Sequence, residues 1–131
     1  MTAIKGIGTD IVKISRVEEL ISRYGDRFLK RLFLPEEIKY CQSKKRPAIH
    51  FAARFAAKEA MLKALGTGLS QGISWKNMEV CRRPGAAPEF SFSGRVAELC
   101  RERGIDGSMI SLSHEQEFAL AFVIITGGGD Q

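Results

Sequence analysis

Phe51-Ala52-Ala53-Arg54-Phe55-Ala56-Ala57-Lys58-Glu59-Ala60-Met61-Leu62-Lys63-Ala64-Leu65-Gly66 is the stretch from which the fold is read. Its spacing predicts one long helix, opened by Pro47, running from His50 to Leu65 and ended by Gly66 and Gly68 as left-handed caps. At about 100° per residue, Glu59 falls on the helical wheel between Phe55 and Leu62 on one side and Ala52 and Ala56 on the other, away from a freely solvated face. A carboxylate among apolar neighbours needs a cation or several donors. Lys63, one turn on, is the nearest cation, and the ordinary form of that contact is a Glu-to-Lys pair four residues apart, worth ~0.3–0.5 kcal/mol.

Upstream, Leu34-Pro35-Glu36-Glu37 reads as a helix start, with proline at the first position and acids complementing the dipole, continuing to about Ser43. Ser15-Arg16-Val17-Glu18 matches a capping box and opens a first helix with Val17, Leu20, Ile21 and Tyr24 as its buried stripe and Arg16, Glu19, Arg23 and Arg27 largely elsewhere. Ala3 to Val12 reads as a strand in which Gly6 and Gly8 mark a bulge or a close backbone approach. Downstream the period changes. Ile73 to Arg82, Glu89 to Phe92, Met109 to Ser113 and Phe118 to Thr126 read as strands, with a helix from about Arg95 to Arg103. Helices grouped early and strands grouped late predict an α+β domain, helices lying on a largely antiparallel sheet.

The 131 residues, 44% of them hydrophobic, suit one domain spanning residues 1–131, with Gly127 to Gln131 as a frayed tail. No run of 18 apolar residues occurs, and Lys5, Asp10 and Lys13 stand where a signal peptide needs an apolar run, so a protein without a membrane span, acting in the cytoplasm, is expected. Cys41, Cys81 and Cys100 lie far apart without metal-ligand spacing and are expected as reduced, partly buried thiols. A net charge of +5 favours an anionic partner: nucleic acid, membrane surface, acidic protein or phosphorylated small molecule.

Asp10 is a second acid, at the end of the glycine-interrupted strand. Two carboxylates suit Mg²⁺, which keeps several waters and takes one or two protein carboxylates plus phosphate oxygens, so a two-acid site implies a phosphate-bearing substrate. Thr9-Asp10 equally suits a plain turn. His114, where one strand gives way to the next, is placed to bind phosphate, to orient a reacting group or to satisfy a hairpin; His50 is read as structural. The phosphate-loop, nucleophile-elbow and zinc-helix motifs are all lacking.

Three segments, Gly6-Ile7-Gly8-Thr9-Asp10-Ile11-Val12, Arg54-Phe55-Ala56-Ala57-Lys58-Glu59-Ala60 and Ser111-Leu112-Ser113-His114, together resemble the bacterial holo-acyl-carrier-protein synthases, in that family's order and spacing. The resemblance implies the 4′-phosphopantetheinyl transferase fold and transfer of 4′-phosphopantetheine from coenzyme A to a serine of apo acyl carrier protein, with release of adenosine 3′,5′-bisphosphate, in support of fatty acid biosynthesis. It implies that Asp10 and Glu59 hold Mg²⁺, that Lys63 acts with them by neutralising the diphosphate, and that Arg54, Lys63, Gly66, Ser113 and His114 bind coenzyme A. Glu59, or a water that it holds, is the first candidate for the general base. It also implies that acidic carrier protein docks on the basic first helix through Arg16, Arg23 and Arg27, with Leu20 as an apolar contact, and that the enzyme is a homotrimer with sites at subunit interfaces.

One departure stands out. Many relatives carry Gly-Lys-Pro where this chain reads Pro84-Gly85-Ala86-Ala87-Pro88, and Arg82 and Arg83, or Lys44, Lys45 and Arg46, are the candidates to replace that lysine. The competing reading, a small basic nucleic-acid-binding module, has the net charge in its favour, but only 8% of the residues are aromatic and no binding-module motif appears.

Overall fold

The long helix lies across a three-stranded antiparallel sheet. A computed structural model describes residues 2–128. In chain order these form β1 (Thr2–Lys13), α1 (Ile14–Tyr24), α2 (Asp26–Leu32), α3 (Pro35–Gln42), α4 (Pro47–Leu65), a 3₁₀ turn (Trp75–Asn77), β2 (Met78–Cys81), β3 (Glu89–Phe92), α5 (Gly94–Glu102), β4 (Ile105–His114) and β5 (Phe118–Gly128). The main sheet has the order β1-β5-β4, and β2 and β3 form a separate two-stranded antiparallel sheet. The architecture is therefore the expected α+β one, with its strands divided between two sheets. Among the described residues no helix is long and apolar enough to cross a membrane.

β1 carries a register shift between Ile4 and Gly6, after which Gly6, Gly8, Asp10 and Val12 form the row facing α4, while Ile7, Thr9 and Ile11 face away. A Cβ at Gly8 would overlap the carbonyl oxygen of Ala60, and one at Gly6 that of Ala64. Both readings of these glycines thus hold at once: a bulge sits beside a close approach of strand to helix. Ala56 and Ala60 are fully buried beneath the sheet, against Ala119, Ala121 and Val123 of β5.

A second tie fixes α4 from its other side. Lys58 and Glu37 are both fully buried and joined at 2.8 Å. The Lys58 ammonium also donates to the carbonyls of Leu32, at 2.6 Å, and Trp75, at 3.4 Å. The Glu37 carboxylate accepts from the backbone N–H groups of Leu34 and Val80. Removing either partner of such a pair costs about 3–5 kcal/mol, because a buried charge is left uncompensated.

Several expectations need correction. Ser15 is not a cap: α1 begins at Ile14, whose N–H donates to Glu117 O, and Lys13 occupies the N-cap without a side-chain bond. Tyr24 is exposed rather than buried. Gly25, at φ 54°, ends α1, so Arg27 belongs to the separate helix α2. The strand expected from Ile73 to Arg82 is reduced to β2, because the 3₁₀ turn occupies Trp75–Asn77 and Ser74 caps it. Gly66 is the left-handed cap of α4, whereas Gly68 lies in the loop beyond. Gly127 and Gly128, expected in a frayed tail, pair with Ala3 and Thr2 as part of β5; residues 129–131 lie outside the described ones. Cys41 and Cys100 are buried free thiols and Cys81 is half-buried; burial pushes the Cys41 thiol up to about 12, so it stays protonated.

Gly8→Ala is expected to lower the unfolding free energy by about 1–3 kcal/mol, as overpacking does. Gly128→Ala, where an added Cβ meets nothing, should stay within ~0.5 kcal/mol. Denaturant midpoints of the two variants check the difference.

Candidate active site

The close contact between β1 and α4 brings charged side chains of both elements together at one end of the helix. The Lys63 ammonium donates to Asp10 Oδ1 and to the carbonyl of Thr9, each at 3.0 Å. Lys63 thus pairs with Asp10 and not, as an ordinary helix-surface pair would, with Glu59. Glu59 lies one turn earlier, half-buried. Burial raises its proton affinity, Asp10's charge raises it further, and Lys63 works in the opposite direction. The two carboxylates therefore sense each other across the site.

Asp10 and Glu59 open into a cleft of about 480 Å³ that also touches Lys13, Arg16, Leu20 and Phe55. Its chemistry suits a hard cation such as Mg²⁺: carboxylate oxygens from two acids, only one of them paired with the lysine, and room for water and phosphate oxygens. Among the described residues no group of three or more His, Cys, Asp or Glu gathers as a metal site, and an ion that keeps several waters needs no third such ligand.

A second cluster lies where α3, α4 and the end of β4 meet. The Tyr40 ring carries the Arg54 guanidinium at 4.1 Å and the Lys44 ammonium at 4.5 Å. The His50 ring stands edge-on to Tyr40 at 6.0 Å and to His114 at 6.4 Å. Arg54 is 3% exposed and its Nε–H has no partner. Tyr40, Lys44, His50, Arg82 and Arg83 line a cleft of about 510 Å³, and Arg54, Glu79 and Cys81 line an adjoining one of about 460 Å³. Of the two candidate replacements for the missing lysine, each supplies members here: Lys44 from one, Arg82 and Arg83 from the other. Arg46 turns instead to Glu18, at 3.5 Å.

The other expected residues are distributed as follows. Ser113 neighbours His114 on β4, so by strand alternation it faces the opposite side of the sheet. The Gly66 N–H is used within the helix cap, donating to Leu62 O and Lys63 O. Arg16 and Leu20 border the Asp10–Glu59 cleft; Arg27 lines a neighbouring groove of about 360 Å³ with Leu20, Tyr24 and Phe28; Arg23 is exposed. Sequence reasoning overlooked Tyr40 and took His50 as structural. The four-residue spacings Tyr40–Lys44 and His50–Arg54, each setting an aromatic ring four residues before a cation, were the available signal.

The two clusters share no lining residue. Nine residues of helix separate Glu59 from His50, about 14 Å of rise and two and a half turns, so the two side chains leave α4 on opposite sides.

Residues 6–123 match the family model of the 4′-phosphopantetheinyl transferase superfamily. The chain is 47% identical over 122 residues to a holo-[acyl-carrier-protein] synthase of Koribacter versatilis, covering 93% of this chain and 98% of the relative. A Geobacter relative of the same description is 48% identical over the same shares. Among solved structures, the holo-[acyl-carrier-protein] synthase of Neisseria meningitidis superposes with a TM-score of 0.86 at 36% identity, covering 94% of this chain and 98% of the other. That of Helicobacter pylori, in complex with coenzyme A, gives 0.80 at 34% identity over 91% and 98%.

Because Glu59 holds its proton to higher pH folded than unfolded, its ionisation costs folding stability as pH rises from the unfolded value of 4.5 through the higher folded one. In EDTA at neutral pH, Glu59→Gln is expected to melt at higher temperature than wild type, the gap closing towards about pH 4. Added Mg²⁺ should raise the melting temperature of wild type only. A variant less stable than wild type in EDTA at neutral pH would contradict this.

Proposed function

The chain belongs to the 4′-phosphopantetheinyl transferase superfamily, as an enzyme of its holo-[acyl-carrier-protein] synthase branch, and from that premise we propose a Mg²⁺-dependent reaction at Asp10, Glu59 and Lys63. In it, the serine hydroxyl of an apo acyl carrier protein attacks the β-phosphorus of coenzyme A. A new phosphorus–oxygen bond forms to the serine, the bond within the diphosphate breaks, and adenosine 3′,5′-bisphosphate leaves with the electron pair. The observation that carries this reading is the Lys63 ammonium set 3.0 Å from Asp10 and one helical turn from Glu59, two acids and one mobile cation at an open cleft.

Asp10 and Glu59 would hold the Mg²⁺, which when bound supplies charge neutralisation to the diphosphate. Lys63 is 55% exposed and free to turn from Asp10 towards an incoming phosphate oxygen, adding a second positive charge where the leaving group gains negative charge. The raised proton affinity of Glu59 suits it to receive the serine proton, directly or through a water. Arg16 and Leu20 border the same cleft, which supports docking of an acidic carrier on α1, with Arg23 and Arg27 extending the positive surface. The product carrier serves fatty acid biosynthesis, and the enzyme acts in the cytoplasm.

The coenzyme A site, in this reading, is shared between copies in a homotrimer. His114 and Arg54 lie on the other side of α4 from Glu59, so one donor molecule would draw on both sets only across a subunit boundary. The outer face of the main sheet supports such an assembly: Ile7 is 61% exposed, Ile11 60%, Met109 58% and Phe122 46%, and Thr9, Phe122 and Ser111 form one cross-strand row between them. An apolar face of this kind marks an association surface.

Mass spectrometry of apo carrier protein incubated with the enzyme, coenzyme A and Mg²⁺ should show a gain of about 340 Da, the transferred group, lost with Glu59→Gln and with EDTA. No gain on several acidic carriers would refute the transferase chemistry. For the shared site, Glu59→Gln and His114→Ala, each impaired at limiting coenzyme A, should recover about a quarter of wild-type activity when co-assembled, since one interface in four combines two intact halves. Sites contained within one chain would recover nothing.

A further inference from the structure

We propose that the groove between α2, α3 and the 3₁₀ turn is a binding site for a single-chain amphiphile with an anionic head, a free fatty-acid carboxylate. The site stands apart from the transferase chemistry. Asp10, Glu59 and Lys63 do not line it, nor do Tyr40, Lys44, His50 and Arg54.

The lining follows from local sequence. Pro35, Ile38, Lys39 and Gln42 recur at helical spacing and form one face of α3. Phe33, in the link from α2 to α3 and 1% exposed, closes the floor beside the half-buried Ile38. Lys30 reaches in from α2 and Lys76 from the 3₁₀ turn. The cavity measures about 700 Å³, larger than the Asp10–Glu59 cleft or either cleft of the cation cluster. Sites for small ligands run to roughly 300–1,000 Å³ and set a few polar groups on an apolar lining.

Charge decides the occupant. Three lysines line the groove and no acid does. Lys30 only grazes Asp26, at 3.9 Å with both side chains largely exposed, and among the described residues Lys39 and Lys76 form no ion pair. Lysine stems extend an apolar wall while their ammonium groups stay in water, so the groove is apolar in its depth and cationic at its rim. An apolar chain ending in one carboxylate matches both. A membrane surface does not: the large apolar side chains that stand exposed lie on the outer sheet face, on α1 and in the loop after α4, none of them at this groove. A docked helix needs a longer row of anchoring positions than Phe33, Pro35 and Ile38 offer. The floor also touches the tie that fixes α4. The Phe33 ring lies 5.1 Å from that of Phe51 and 4.9 Å from the Lys58 ammonium, and the carbonyl of Trp75, next to Lys76, accepts from Lys58. A ligand bound to the folded groove therefore stabilises the fold.

The test titrates the full chain with decanoate, octanoate and decanol below their micelle and solubility limits. Calorimetry, melting temperature and the fluorescence of Trp75, the one tryptophan of the chain, are the readouts. Decanoate is expected to bind and to raise the melting temperature. Octanoate should bind roughly 10-fold more weakly for its two missing methylenes, and decanol about 5-fold more weakly for its missing charge. The double variant Lys30→Gln with Lys76→Gln, at two exposed positions, should bind decanoate and decanol alike. Ile38→Asp should lose both ligands; if it fails to fold, the lysine variant decides. Lys39 is left in place because it also borders the adjoining cleft. Equal binding of decanol and decanoate by wild type, decanoate affinity unchanged in the lysine variant, or binding to phosphatidylglycerol vesicles without binding to free decanoate would each overturn the assignment.

Discussion

At Gly6 and Gly8 the backbone of β1 lies against the carbonyl oxygens of Ala64 and Ala60, and nothing larger than hydrogen fits between them. The rest of the site follows from this contact. With the strand this near, a lysine on the helix can reach the Thr9 carbonyl and the Asp10 carboxylate together. Strand alternation then does the aiming: the row that hides Gly6 and Gly8 under the helix continues through Asp10, so the residue next in that row is an acid facing α4 rather than solvent. The register shift just before Gly6 sets which row that is. Shifted by one residue, Thr9 would face the helix and Asp10 the outer sheet face.

α4 also acts as a partition. Asp10 and Glu59 stand at one end and side, the Tyr40, His50 and Arg54 cluster at the other, with a packed alanine helix between. Under the proposed function, a donor that meets groups on both sides of the helix would find half of its site on each side. The bare apolar sheet face and the divided charge then have one common explanation under the proposed assembly: burying the first against another copy brings the second together. The same separation keeps the cation cluster away from Asp10 and Glu59 within one chain, so that Lys63 is the cation these acids meet.

Much of this was legible in the sequence, and the failures are informative. The period of Phe51 to Leu65 located α4 and its αL cap because helix and cap are local properties of the backbone. Asp10, Glu59 and Lys63 came from short motifs whose spacing survives folding. Ser15 misled because the first N–H of α1 is taken by Glu117, more than 100 residues away, and a local capping rule cannot see a partner contributed by the turn between β4 and β5. Arg27 was assigned to the wrong helix because Gly25, with φ 54°, breaks a pattern that otherwise continues. The 3₁₀ turn replaced half of a predicted strand because Trp75 packs on Phe55, 5.5 Å between ring centroids, a tertiary contact that overrides β propensity. His50 became a site candidate only when folding set it beside His114, 64 positions further along the chain.

Lys58 and Lys63 show where sequence stops being sufficient. They flank the same glutamate on the same helix, and no rule of spacing tells which would meet a substrate. About 140° of helix separates them, and that rotation decides. Lys58 points into the core, fully buried, and its three N–H groups are matched by three acceptors from Leu32, Glu37 and Trp75. It has nothing left to offer a ligand, and moving it would strand Glu37. Lys63, more than half exposed, has two acceptors in one place and can exchange one of them for a phosphate oxygen without leaving a buried charge behind. The first lysine holds α4 at the rotation that presents Glu59, and the second is the one with freedom to act.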